Sequence, residues 1–197
     1  MSTARLPAAE RRAAVLDCAC RVFSAGSYHG TTTAEIAKEA GVTEPILYRH
    51  FDSKRDLYLA CIDEGWRRVR EIWEAVIAAE EDPAEWLPAM GRAFFATRDD
   101  RAAIPGLWIQ ALTEASEDPV VRRHMRKMLR DSNRFVADVI ERAQEAGAVP
   151  KDRDPVAEAW IFVAIGVLGS IGLRLGGLVI DDLERIRSSR RRWMTGS

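Results

Sequence analysis

Between residues 31 and 54 the chain concentrates side chains that can hold a phosphate oxygen or read the edge of a base. Thr31, Thr32 and Thr33 are consecutive, Tyr48, Arg49 and His50 are consecutive, and Lys54 follows. A hydroxyl, a phenol and an imidazole each donate to a phosphate oxygen, and a lysine meets it as a point charge. Arg49 can donate twice, which suits the paired acceptors on a guanine edge. Glu44 differs in kind: its carboxylate can accept from the amino group of cytosine, or it can repel a phosphate. Catalytic arrangements are missing from the sequence. It has no GxSxG, HExxH, phosphate-loop or dinucleotide fingerprint, so neither an enzyme nor a cofactor is expected. Cys18 and Cys20, two residues apart, cannot share a helix face, so no metal site is expected either. Cys61 reads as a small buried hydrophobe.

Such side chains act together only if short elements present them on one surface. A first helix is expected near 7–25, with Val15, Cys18, Ala19, Val22 and Phe23 along one face. A loop bounded by Gly26 and Gly30 follows. Thr32 and Glu35 are spaced as a capping box for a second helix, and Gly41 ends it. Thr43 is placed to cap a third helix, with Pro45 in its first turn and Asp52 breaking it. Ser53 and Asp56 repeat the capping-box spacing at the start of a long fourth helix, to about Glu80. Residues 30–58 therefore read as helix, glycine-containing turn, helix. Ala37, Val42, Leu47 and Phe51 supply a shared core, which leaves Glu44, Pro45, Tyr48 and Arg49 on the opposite face. A helix presenting its N-terminal residues outward in this way fits a major groove.

Helical periodicity continues to the C-terminus. Helices are expected at 84–97, at 101–115 with a kink at Pro105–Gly106, at 118–146 and at 154–175, with a basic helix after Asp181. The apolar run from Trp160 to Leu173 is shorter than a bilayer span and is ended by Arg174, so no membrane partner is expected. The chain has 197 residues, 47% of them hydrophobic and 30% charged, with a net charge of −1. That composition is globular and the balance is not that of a polycation, so any nucleic-acid affinity must be local. Residues 1–60 hold eight basic against seven acidic side chains, which argues little either way. Three cysteines without CxxC spacing, and an N-terminus without a signal-peptide layout, point to the cytoplasm.

The N-terminal third resembles the DNA-binding domain of the TetR family of bacterial regulators. The matching positions are Val22-Phe23, Gly30, Thr32-Thr33, Ile36-Ala37, Ala40-Gly41-Val42, Leu47-Tyr48, His50-Phe51, Ser53-Lys54 and Leu57. The resemblance implies an all-α fold, with a three-helix helix-turn-helix domain over 1–52 and a larger ligand-binding and dimerisation domain over 53–197. It implies a homodimer on a palindromic double-stranded operator, released by a small-molecule effector whose identity the sequence does not give. By the same resemblance Thr33, Tyr48, His50 and Lys54 touch phosphates, while Glu44, Pro45, Ile46 and Arg49 face bases. Thr32 and Thr43, at the two helix starts, complete the DNA-facing set. The Glu44-Pro45-Ile46 segment departs from the family's usual small residues, which makes the base contacts less secure than the phosphate contacts. Trp66, Met90, Phe94, Trp108, Met125 and Trp160, with Gln110 to orient a ligand, can line an apolar pocket or serve simply as core. Gly166, Gly169, Gly172 and Gly176 form a stripe that admits close helix packing, across a two-fold axis or against the helix at 118–146. The competing reading is a helical architectural or partner-binding protein without ligand control.

Overall fold

A computed structural model describes residues 7–96, 103–179 and 181–196, and every regular element among them is helical. The helices are α1 (Ala8–Ala25), α2 (Thr33–Glu39), α3 (Glu44–Leu47), α4 (Lys54–Ala79), α5 (Trp86–Ala96), α6 (Ala103–Glu117), α7 (Pro119–Glu145), α8 (Pro155–Arg174) and α9 (Leu183–Thr195), with a 3-10 turn at Pro83–Glu85. Residues 1–6, part of the expected N-terminal domain, and 97–102, around the expected helix ends at 97 and 101, lie outside the described residues. A single α6 runs through the Pro105–Gly106 position where a kink was expected. Pro105 falls in the first turn, where a missing N–H breaks no helical hydrogen bond.

Local chemistry sets the helix starts. Asp118 accepts from the amides of Val120 and Val121 at 2.7 and 3.3 Å, and Asp154 accepts from those of Val156 and Ala157. In both cases proline follows the capping acid. These bonds also hold the Asp118 carboxyl below its ordinary pKa, the Val120 amide contributing most. Ser53 accepts from the Asp56 amide as its spacing suggests, but the Asp56 carboxylate reaches back to the Asp52 amide.

The chain divides into two compact units, one of residues 1–65 with 103–124 and the other of 66–102 with 125–197. The first unit continues to residue 65 within α4, and α6 groups with the N-terminal helices. The core of this first unit holds Val15, Phe23, Ile36, Leu47, Phe51, Leu57, Tyr58, Ile62, Leu107 and Val121. Tyr58 meets Phe23 edge-on at 5.0 Å and Tyr28 at 4.8 Å between ring centroids. Gln110 of α6 donates to the carbonyls of Ser24 and Gly26 at the end of α1. Arg55 pairs with Asp118, and His29 lies 3.0 Å from Glu114. Cys18, Cys20 and Cys61 are all buried, and burial pushes the Cys18 thiol up.

The second unit is centred on Val69, Trp73, Met90, Met125, Met128, Val136, Ile140 and Ala159. Trp73 donates to the Met90 carbonyl at 3.1 Å. Glu158 is buried on α8, where Arg190 pairs with it and Trp193 donates to it at 2.8 Å, fastening α9. Two notches of the glycine stripe are filled from within the chain. A Cβ on Gly169 would lie 2.3 Å from the Phe95 ring, and one on Gly172 would lie 2.0 Å from the Leu178 carbonyl oxygen. A ring of α5 and the turn after α8 fill those notches from within the same chain. Among the described residues α8 is the one helix long and apolar enough, by length and composition, to cross a bilayer. Its outward face carries Val156, Trp160, Leu168, Ile171 and Leu175 in exposed positions.

Candidate nucleic-acid interface

The surface around α3 is built from α2 outward. Thr32 caps α2, its hydroxyl accepting from the Glu35 amide at 3.2 Å while the Glu35 carboxylate accepts from the Thr32 amide at 2.8 Å. The two bonds satisfy two of the amides a helix start leaves bare. They also hold the Glu35 carboxyl below its ordinary pKa, the bond from the Thr32 amide being the larger cause. Ala40 ends α2 and Gly41 turns the chain with φ +65, a conformation that costs glycine little. Val42 then donates to the Ala37 carbonyl, which sets the entry to α3.

The third helix is shorter than its sequence suggests. It spans four residues, and Thr43 stands at its N-cap without a side-chain hydrogen bond. Beyond Leu47 the chain continues as tight turns: Arg49 donates to Ile46, and both His50 and Phe51 donate to Leu47. Leu47 and Phe51 are both fully buried, as they would also be on one more helical turn. Thr43, Pro45, Tyr48 and Arg49 are exposed, while Glu44, Ile46 and His50 are half-buried. Tyr48 keeps 46% of its surface in solvent.

A polar knot ties α3 to α2. The buried Thr33 hydroxyl donates to Glu44 at 2.6 Å and lies 3.1 Å from the Tyr48 phenol. Glu44 is therefore not a bare carboxylate on the outer face, as its position in the sequence suggested. It is held by Thr33, on which the aromatic side chain also rests. Thr32 likewise spends its hydroxyl on Glu35, with which it also makes a direct side-chain bond of 3.0 Å. Lys54 begins α4 with its ammonium 4.6 Å from the Tyr28 ring centre, a cation–π placement that restrains it. Arg12 covers the Phe51 ring in the same manner at 4.7 Å. The sequence carried no signal for either ring contact.

The ligand-pocket candidates are divided between the two units. Trp66 and Phe94 belong to an aromatic cluster of the second unit that also holds Trp73, Phe135 and Phe162. Trp73 lies 5.7 Å from Trp66, 6.5 Å from Phe94, 5.9 Å from Phe135 and 5.6 Å from Phe162. Trp66 and Trp73 sit seven apart, two turns along one face of α4, as their spacing in the sequence suggests. Met90 and Met125 are buried, whereas Trp160 is 43% exposed on the outer side of α8. Trp108 and Gln110 are in the first unit, where Gln110 is spent on the end of α1. Among the described residues no group of three or more His, Cys, Asp or Glu is placed to hold a metal ion.

The chain matches known regulators over both units. Residues 15–61 match the family model described as bacterial regulatory proteins, tetR family, and residues 83–166 match that of the BetI-type transcriptional repressor C-terminal domain. It is 38% identical over 91 residues to the HTH-type transcriptional activator FasR of Mycolicibacterium smegmatis, a match spanning 46% of this chain and 42% of that protein. It is 28% identical over 173 residues to the HTH-type transcriptional regulator BetI of Rhizobium meliloti, spanning 83% of this chain and 85% of the relative. Its fold is shared by a TetR-family transcriptional regulator from Rhodococcus sp., with a TM-score of 0.85 at 19% identity over 95% of this chain and 99% of the other. A transcriptional regulator from Saccharomonospora viridis, solved in complex with choline, aligns with a TM-score of 0.78 at 22% identity over 92% of this chain and 95% of the other.

Proposed function

Because this chain belongs to the tetR family of bacterial regulatory proteins, a family of transcriptional regulators and not of enzymes, we propose that it is a dimeric repressor released from a palindromic operator by a small molecule. The observation that carries the reading is the Thr33–Glu44–Tyr48 knot. It fixes α3 against α2 while leaving Tyr48 and Arg49 in solvent, as a reading head must. In this scheme Tyr48, His50 and Lys54 position the backbone, with Thr32, Thr33 and Thr43 framing the approach. Arg49, Pro45 and Ile46 meet base edges, and Glu44 orients its neighbours instead of accepting from cytosine.

The BetI-type match supports repression. Supporting the dimer is α8, on which Val156, Trp160, Ala164, Leu168, Ile171 and Leu175 repeat at three and four residues, are all exposed and carry no charge. A second copy of that face would cover it. For the effector, the Trp66, Trp73, Phe94, Phe135 and Phe162 cluster suits an apolar group or a quaternary ammonium, which binds over aromatic faces. The latter is what the Saccharomonospora regulator holds. Release requires only that the effector prefer the conformation whose two heads are misplaced for half-sites about 34–36 Å apart. In a binding-site selection, the wild-type chain enriches an inverted repeat. Tyr48→Ala weakens binding to every selected duplex, and Arg49→Ala relaxes the sequence at one position per half-site. Recovery of no common sequence defeats the proposal, and so does an operator that stimulates transcription only when the protein is bound.

A further inference from the structure

The outer face of α7 carries a concentration of one charge that the helix-turn-helix does not account for. Over residues 119–134 there are six basic side chains, Arg122, Arg123, Arg126, Lys127, Arg130 and Arg134, against the single acid Asp131. All six are exposed, and at 3.6 residues per turn they fall within about 140° of arc and about 18 Å of helix. On α4, by contrast, the exposed face alternates sign: Arg67 pairs with Glu71 and Arg70 with Glu74. On α7 the four-residue neighbours Arg122–Arg126, Arg126–Arg130, Arg130–Arg134 and Arg123–Lys127 repel each other. The first two turns set positive charge against the positive end of the helix dipole. Lys127 and Arg134 share Asp131, and Arg122 donates to the carbonyls of Ala115 and Ser116. Arg123, Arg126 and Arg130 have no ion pair among the described residues.

A helix that accumulates like charge against its own stability is matched by a partner of opposite charge. We propose that this stripe on α7 is a second, sequence-independent contact surface for the phosphate backbone of duplex DNA. The assignment rests on the DNA-binding reading above. Nucleic acid is favoured over an acidic protein because the exposed stripe has no aromatic or large aliphatic side chain to serve as the buried anchor of a protein interface. Arginine dominates it, and arginine grips phosphate through two donors. On one strand, phosphates recur every 3.4 Å along the axis, so the stripe is long enough to follow about five of them.

The test is fluorescence anisotropy with a 40-base-pair duplex of random sequence across a salt series. The full chain is compared with Arg123→Gln/Arg126→Gln/Arg130→Gln and with the corresponding triple lysine variant, folding being checked by circular dichroism. Each lost phosphate contact lowers the slope of log affinity against log salt by about 0.9. The glutamine variant therefore loses about 2.7 per chain, and the lysine variant keeps the wild-type slope. An unchanged slope in the glutamine variant overturns the proposal, as does loss of slope in the lysine variant. A chain that binds the random duplex through α7 but selects no sequence defeats the operator reading and leaves the stripe standing. A chain that selects an operator with the slope untouched defeats the stripe alone.

Discussion

Thr33 is a small residue with two obligations. The residue is nine-tenths removed from solvent, and its hydroxyl holds both the Glu44 carboxylate and the Tyr48 phenol. The residue types of this knot were legible in the sequence, and the partners were not. A threonine at a helix start and a glutamate eleven residues later carry no mark that they will meet across a glycine turn. Replacement by valine keeps the shape and removes the donor, leaving Glu44 half-buried with its charge less well satisfied. Loss of a hydrogen bond to a buried polar group costs about 1–3 kcal/mol, and the partial exposure of Glu44 puts Thr33→Val near the lower end. Urea unfolding should show that loss, and DNA affinity should fall further than stability does, because Tyr48 loses its anchor. Thr33→Ser should restore both. Equal unfolding midpoints for wild type and valine variant would mean that the knot contributes nothing.

At the scale of elements, capping chemistry made the helix starts readable, and side-chain spacing misled where the filling group lay far along the chain. Thr32, Asp118 and Asp154 announce α2, α7 and α8 through acceptors placed just before bare amides. The end of α3 was hidden because Leu47 and Phe51 are both compatible with one more helical turn. The glycines of α8 show the limit of pattern most clearly. Spacing revealed a small-residue face, but Phe95 stands 74 positions before Gly169, and nothing local names it. The two notches differ in hardness. At Gly169 a methyl group meets a ring that can swing, and at Gly172 it meets a backbone carbonyl. Overpacking costs about 1–3 kcal/mol, against about 1 kcal/mol gained when alanine replaces a helical glycine. Gly172→Ala should accordingly destabilise by about 1–2 kcal/mol net, and Gly169→Ala by less than 1. Chemical denaturation of the pair tests the ranking, and the reverse order would mean that Phe95 is the more rigid neighbour.

For the whole molecule, the surface that matters most is the outer face of α8. In a single chain this helix leaves six apolar positions in water on one face, about 28 Å from Val156 to Leu175. Its opposite side is consumed by Phe95, by the turn at Leu178 and by the Glu158–Arg190 pair. Helix content and an N-terminal reading head were visible in the sequence. The grouping of α6 with that head was not, since Gln110 and Ser24 are 86 residues apart. The outward apolar face was visible as hydrophobicity alone, which a buried core helix or a bilayer span would show equally. Each large apolar side chain taken from water is worth about 1.5–3 kcal/mol, so the stripe can hold two copies together. Leu168 lies near its middle, and because it is already exposed, Leu168→Glu should leave the chain folded while placing two like charges across a two-fold contact. Sedimentation should then report a single-chain mass at concentrations where the wild type is double. Operator affinity should drop at least a hundredfold, since two half-sites no longer bind as one unit. A glutamate variant that remains double would place the two-fold contact elsewhere and leave the apolar face of α8 to a different partner.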